Sequence, residues 1–131
     1  SARLPFSSSR IGAAHGLAGP LGGHLGAPHG ALTASVMVEV CEFNLAHGTD
    51  AVVARYAEVA ALLTGRDDPT ALLDWWNEST AELGVPGLAA LGLTEDAIAP
   101  VAAAAASASS TKGNPVAVTA DDLAGILRRS L

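Results

Sequence analysis

Apolar residues recur at helical spacing through most of the chain. From His29 to about Leu45 they run nearly all round, with Val36, Met37, Val38 and Val40 in the middle. A helix without a strong polar face is the central, buried one in a bundle. A strand over Val36–Val40 competes with this reading, and the length of the segment favours the helix. Val52, Val53, Tyr56, Val59, Ala60 and Leu63 make one stripe of a helix over 50–64, capped by Thr49 and stopped by Gly65. The next helix opens on Asp68-Pro69, runs to about Leu83 and ends at Gly84, with Leu72, Leu73, Trp76, Thr80 and Leu83 as its core stripe.

Thr94 caps an Ala-rich helix over 95–108, and Ser109 to Pro115 reads as a loop. Thr119 with Asp122 three residues on resembles a capping box. It opens a last helix over 120–130 that buries Leu123, Ile126 and Leu127. Arg128 and Arg129 in its last turn complement the helix dipole. Upstream, residues 1–10 are a Ser-rich loop or a truncated lead-in. A helix is expected around 11–18, a break near Pro20, and an irregular turn through Gly26-Ala27-Pro28, with Pro28 at the first helical position of the central helix. No alternating strand, hairpin signal, heptad run or fixed-period repeat is present. The expectation is an all-α bundle of five to six helices, with 11–131 forming a single all-helical domain.

Composition narrows the function classes. Half of the 131 residues are hydrophobic but only 4% aromatic, so the core must be built from Ala, Leu and Val. Thirteen acidic against seven basic residues give a net charge of −6, and the basic residues are scattered, which excludes a nucleic-acid groove. No apolar run is long enough to span a membrane. The one cysteine, Cys41, excludes an internal disulfide and a Cys-based zinc site. A reducing, cytoplasmic setting is the expectation.

Candidate chemistry centres on two histidines. His15 ends one expected helix and His29 opens the next, fourteen positions on, across a Pro/Gly turn that can bring both rings to one point. Two imidazoles suit a divalent transition metal such as iron, zinc or nickel. The plain reading is a cap or a core hydrogen-bonder, since a metal usually takes three or four protein ligands. Glu39 and Glu42, one turn apart on the apolar helix, are either a solvated stripe or a carboxylate near the histidines, as a third ligand or general base. His24 points into the same pocket or to water, and His47 sits at a helix C-terminus as a cation. Trp76 fits the core stripe, whereas Trp75 falls off it, at a partner surface or the core edge. Cys41 is buried and inert, and Ser8, Ser9 and Ser79 have no base at readable spacing.

The stretch from Ile11 through Ala13-Ala14-His15-Gly16-Leu17 to Gly19-Pro20-Leu21-Gly22, then Ala27-Pro28-His29-Gly30 and Glu42-Phe43-Asn44, resembles the iron-containing alcohol dehydrogenase family. That family carries G-x-x-H-x-x-x-H-P-L-G, then P-H-G, then an F-N pair. The tail Asn114-Pro115-Val116 resembles its maleylacetate reductase branch. The likeness runs from about 11 to 130 and is strongest through 11–44. It implies a C-terminal all-helical, metal-holding domain acting beside a dinucleotide-binding domain that this chain does not contain. It implies that His15 and His29 are metal ligands, to iron or zinc, with NAD(P) held only if another domain supplies its site.

The family's two further ligands form an Asp-x-x-x-His that has no counterpart here. Its relay histidine falls at Gly19, and its Pro-His pair falls at Val38-Glu39. No G-x-G-x-x-G follows a strand. The first expectation is therefore an oxidoreductase domain with a small-molecule substrate, docked on a partner chain or a second copy through an apolar face. The second is a repurposed helical domain that binds a small molecule or acts as a non-redox cyclase, lyase or isomerase through His15, His29 and Glu39. The third is a self-associating domain without chemistry.

Overall fold

In the computed structural model the described residues are 12–131, excepting the side chains of His15, Ser109 and Ser110. The expected lead-in over 1–10 lies outside them. Every regular element among the described residues is helical: α1 (Gly12–Leu25), α2 (His29–His47), α3 (Asp50–Thr64), α4 (Pro69–Leu83), α5 (Glu95–Ala106), α6 (Ser109–Lys112) and α7 (Ala120–Arg129). Six of these run to ten residues or more and α6 is a single turn. The all-α bundle expected from periodicity is the observed architecture.

Local chemistry sets most boundaries. The Thr49 hydroxyl accepts from the Val52 amide, and Asp68 accepts from the Thr70 amide with Pro69 in the first turn. Gly65 and Gly84 end α3 and α4 in the left-handed region, at φ 77° and 67°, where a side chain would be strained. Thr119 and Asp122 form the full reciprocal capping box of α7. Pro28 stands at the cap of α2 in extended conformation, one residue ahead of the expected position.

Pro20 does not break its helix; α1 runs through it to Leu25. An interior proline destabilises a helix by about 3 kcal/mol. Leu17 and Leu21 flank it and are fully buried. Burying each contributes about 1.5–3 kcal/mol, which offsets the lost hydrogen bond and the clash. Local rules predict the break, and the tertiary burial of α1 among α2, α5 and α6 removes it.

The central helix is α2, as its all-round apolar pattern requires. It packs against α1, α3, α4 and α7, while α1 is sandwiched by α2, α5 and α6. α1 and α2 are antiparallel: a Cβ built on Gly22 would sit 3.6 Å from the Leu32 side chain near the turn. At the far end the Ala13 amide shares the Asn114 carboxamide with Asn44. Two stripes outrun the surface that covers them. Leu63 and Leu83, expected in the core, lie in the last turns of α3 and α4 and are 43% and 80% exposed.

The segment read as a loop after α5 contains α6. Its Thr111 packs onto Gly16 so closely that a Cβ there would overlap the Thr111 hydroxyl. That hydroxyl is buried without a hydrogen-bond partner among the described residues, a cost of about 1–3 kcal/mol accepted for the close approach of α6 to α1. Replacing Thr119 by alanine removes half of the capping box. It should lower stability by about 1 kcal/mol, read as a fall in the urea midpoint with unchanged m-value.

Candidate functional site

His29 is the first residue of α2, with an exposed ring at the mouth of the Gly26-Ala27-Pro28 turn. The His15 backbone lies in the first half of α1; its side chain falls outside the described residues. α1 and α2 form one antiparallel hairpin, so both histidines belong to the same pair of packed helices. Gly19, one turn after His15, is exposed, and a Cβ added there meets nothing within 4 Å. The position carries no imidazole, and no described residue crowds its Cβ direction.

Glu39 is ten residues along α2 from His29, about 15 Å of helical rise. The His15 backbone lies the same ten residues before the end of α1, on the other arm of the hairpin. The Glu39 carboxylate accepts from Nε of Arg129 at 3.0 Å, binding the middle of α2 to the end of α7. It lines a cleft of about 180 Å³ with Ser35, Asn77 and Thr80. Glu42 faces solvent, as does His24 in the last turn of α1. His47 ends α2 with its ring centroid 4.5 Å from that of Phe43, over an open hollow of about 390 Å³ shared with Thr49, Pro115 and Asp122. Trp75 and Trp76 meet edge to face at 5.7 Å, both half-buried against the core, which settles Trp75 at the core edge.

The chain's buried polar chemistry lies elsewhere and was only half visible in sequence. Asn44 is fully buried. Its Nδ2 donates to the Tyr56 hydroxyl at 3.0 Å and to Asn114 Oδ1 at 3.2 Å, while Asn114 Nδ2 returns a bond to Asn44 Oδ1 at 2.7 Å. Asn114 Nδ2 also donates to the Val116 carbonyl, and its Oδ1 accepts from the Ala13 amide at 3.3 Å. The Phe-Asn pair and the Asn-Pro-Val tail, noted as separate marks of likeness, therefore touch. Tyr56, read only as a stripe residue, bonds Asn44 and also Cys41.

Burial pushes the Cys41 thiol up to about 11, partly opposed by the hydrogen bond from Tyr56. The thiol thus stays neutral across the physiological range and is no nucleophile.

Iron and zinc would accept the imidazole nitrogens of His15 and His29. Among the described residues, however, no three His, Cys, Asp or Glu side chains lie close enough together to hold a metal ion. The described donors therefore do not complete a metal site.

The model for the C-terminal part of the Fe-containing alcohol dehydrogenase family matches residues 1–131. The chain belongs to that family. The 4-hydroxybutyrate dehydrogenase of Cupriavidus necator is 35% identical over 130 residues, covering 92% of the chain and 33% of that enzyme. The structure of the iron-containing alcohol dehydrogenase from Thermococcus thioreducens superposes with a TM-score of 0.79 at 26% identity, over 90% of the chain and 31% of the other. A 1,3-propanediol oxidoreductase shares the fold, with a TM-score of 0.81 at 24% identity over 91% of the chain and 32% of its own length.

The family domain thus spans about a third of the length of these relatives. They are dehydrogenases or oxidoreductases, and none lends support to a non-redox module. No helix among the described residues is long and apolar enough to cross a membrane.

Two measurements follow. In a double-mutant cycle of Glu39→Gln and Arg129→Gln, the half-exposed pair should couple by less than about 1 kcal/mol and weaken with salt. Cys41 should resist thiol reagents in the native protein and react on unfolding. Because the folded thiol titrates near 11 and the unfolded one near 9.0, the unfolded state loses its proton first. Its contribution to stability is therefore full below pH 9 and lost as pH rises from 9 to 11. Unfolding titrations of wild type and Cys41→Ala should diverge in that window.

Proposed function

We propose that the chain is the metal-side domain of an NAD(P)-dependent alcohol dehydrogenase, with His15 and His29 supplying two nitrogen ligands to iron or zinc. The observation that carries this is the match of the whole chain to this family, with His15 and His29 standing fourteen positions apart as in the family pattern. The remaining donors and the dinucleotide site come from outside the residues of this chain. A bound metal of this kind polarises an alcohol or carbonyl oxygen, and the nicotinamide carries the hydride. What this chain would supply is the pair of imidazoles of His15 and His29, carried on the packed helices α1 and α2. With Gly19 in place of an imidazole, it adds no proton carrier one turn after His15.

The substrate class is a short primary alcohol or ω-hydroxy acid, supported by the likeness to the 4-hydroxybutyrate enzyme. The maleylacetate reductase branch has only the Asn-Pro-Val tail in its favour. In the structure Asn114 of that tail bonds Asn44 and the Ala13 amide, a role within the fold.

The polypeptide containing this chain should copurify with about one metal ion per chain and reduce NAD(P)+ with 1,3-propanediol or 4-hydroxybutyrate. Removing a first ligand should weaken metal binding by at least roughly 100-fold, more than the usual loss of an outer-shell partner. Metal content by elemental analysis should therefore collapse in His29→Ala. Unchanged metal content in that variant, or no nicotinamide-linked oxidation of either alcohol, would refute the proposal.

A further inference from the structure

We propose that the turn from Thr111 to Asn114 is the positioning element for His15, gripping the α1 backbone on both sides of that residue. The inference deepens the ligand role proposed for His15 and rests on it. Two residues before His15, the Ala13 amide donates to Asn114 Oδ1 at 3.3 Å. One residue after it, Gly16 has no side chain, and Thr111 occupies the space a Cβ would take. The two grips are one unit, because the Asn114 amide donates to the Thr111 carbonyl at 3.0 Å and closes the turn.

The turn is itself held from the core. Both oxygen lone pairs and both N–H groups of the Asn114 carboxamide are engaged, by Ala13, by Asn44 twice and by Val116. With every hydrogen-bonding capacity used, the amide has one orientation and one rotamer. Asn44 is anchored in turn on Tyr56, so α2 and α3 fix the position of a turn that fixes α1. The Thr111 hydroxyl is buried and has no hydrogen-bond partner among the described residues. Its contribution at this place is contact with Gly16 and not bonding. Thr111 and Asn114 are thus positioning residues: they act on the backbone that carries His15.

The test compares Asn114→Ala, Thr111→Ala and Thr119→Ala in the polypeptide containing this chain. Thr119→Ala removes the α7 cap and serves as a destabilised control remote from α1. Hydrogen exchange by mass spectrometry is read on a peptide covering α1 and another covering α7, and Zn2+ alone is titrated as the metal probe. Asn114→Ala should speed exchange in α1 by at least tenfold and weaken Zn2+ uptake by a similar factor, while Thr119→Ala changes α7 and leaves both α1 readouts in place. Thr111→Ala leaves the amide network intact, so it supplies the same comparison if Asn114→Ala does not fold. Equal effects of Thr119→Ala on α1, or an α1 peptide unmoved by both turn variants, would overturn the proposal. Absence of Zn2+ uptake by the wild type would instead refute the ligand role of His15, and the exchange arm would still decide the positioning.

Discussion

The reciprocal carboxamide bond between Asn44 and Asn114 is the constraint on which the arrangement of α1, α2 and α3 depends. A buried amide with an unmet donor or acceptor would destabilise the fold by more than the net gain of any one of its bonds. This pair avoids the penalty by satisfying each side chain with the other, with Tyr56, with Val116 and with the Ala13 backbone. The elements joined are 70 and 101 residues apart in sequence. An Ala- and Leu-built core packs by area and tolerates sliding; a directional amide pair does not. It gives an otherwise nondirectional core one register.

That division explains how much of the molecule is legible in the sequence. Helices α3, α4 and α7 carry their own start and stop signals, because the groups that cap them are local: Thr49 on Val52, Asp68 on Thr70, Thr119 on Asp122. Where the deciding interaction is distant, local rules misread. Pro20 looks like a break, because the burial of Leu17 and Leu21 that overrides it depends on the helices packed around α1, which are α2, α5 and α6. Ser109 to Lys112 looks like a loop, because its single turn persists through contact with α1. Leu63 and Leu83 continue their stripes correctly but lie beyond the helix that would cover them.

The candidate site is less legible than the fold for a related reason. Periodicity identifies which face of a helix is buried, and chemistry at a helix end leaves no periodic trace. His15 and His29 stand out only by the spacing of a family pattern, whereas Glu39 stands out as an acid on an apolar helix. The structure separates these two kinds of signal. Glu39 answers Arg129, a residue whose place in the last turn of α7 suggested only a dipole role. An acid on a buried face thus has a structural explanation once its partner is found.

The departures from the family pattern bear on how the chemistry is divided. Gly19 has open space around it and no imidazole. The helix keeps a glycine in an exposed interior position, where alanine would favour helix by roughly 0.5–1 kcal/mol. Neither the core nor helix propensity accounts for that choice, because nothing among the described residues approaches the missing Cβ. The residues that the fold does hold tightly, Ala13 and Gly16, flank His15 instead. The contacts of the 111–114 turn thus fall on the backbone either side of the proposed ligand, and none of them reaches Gly19 one turn on.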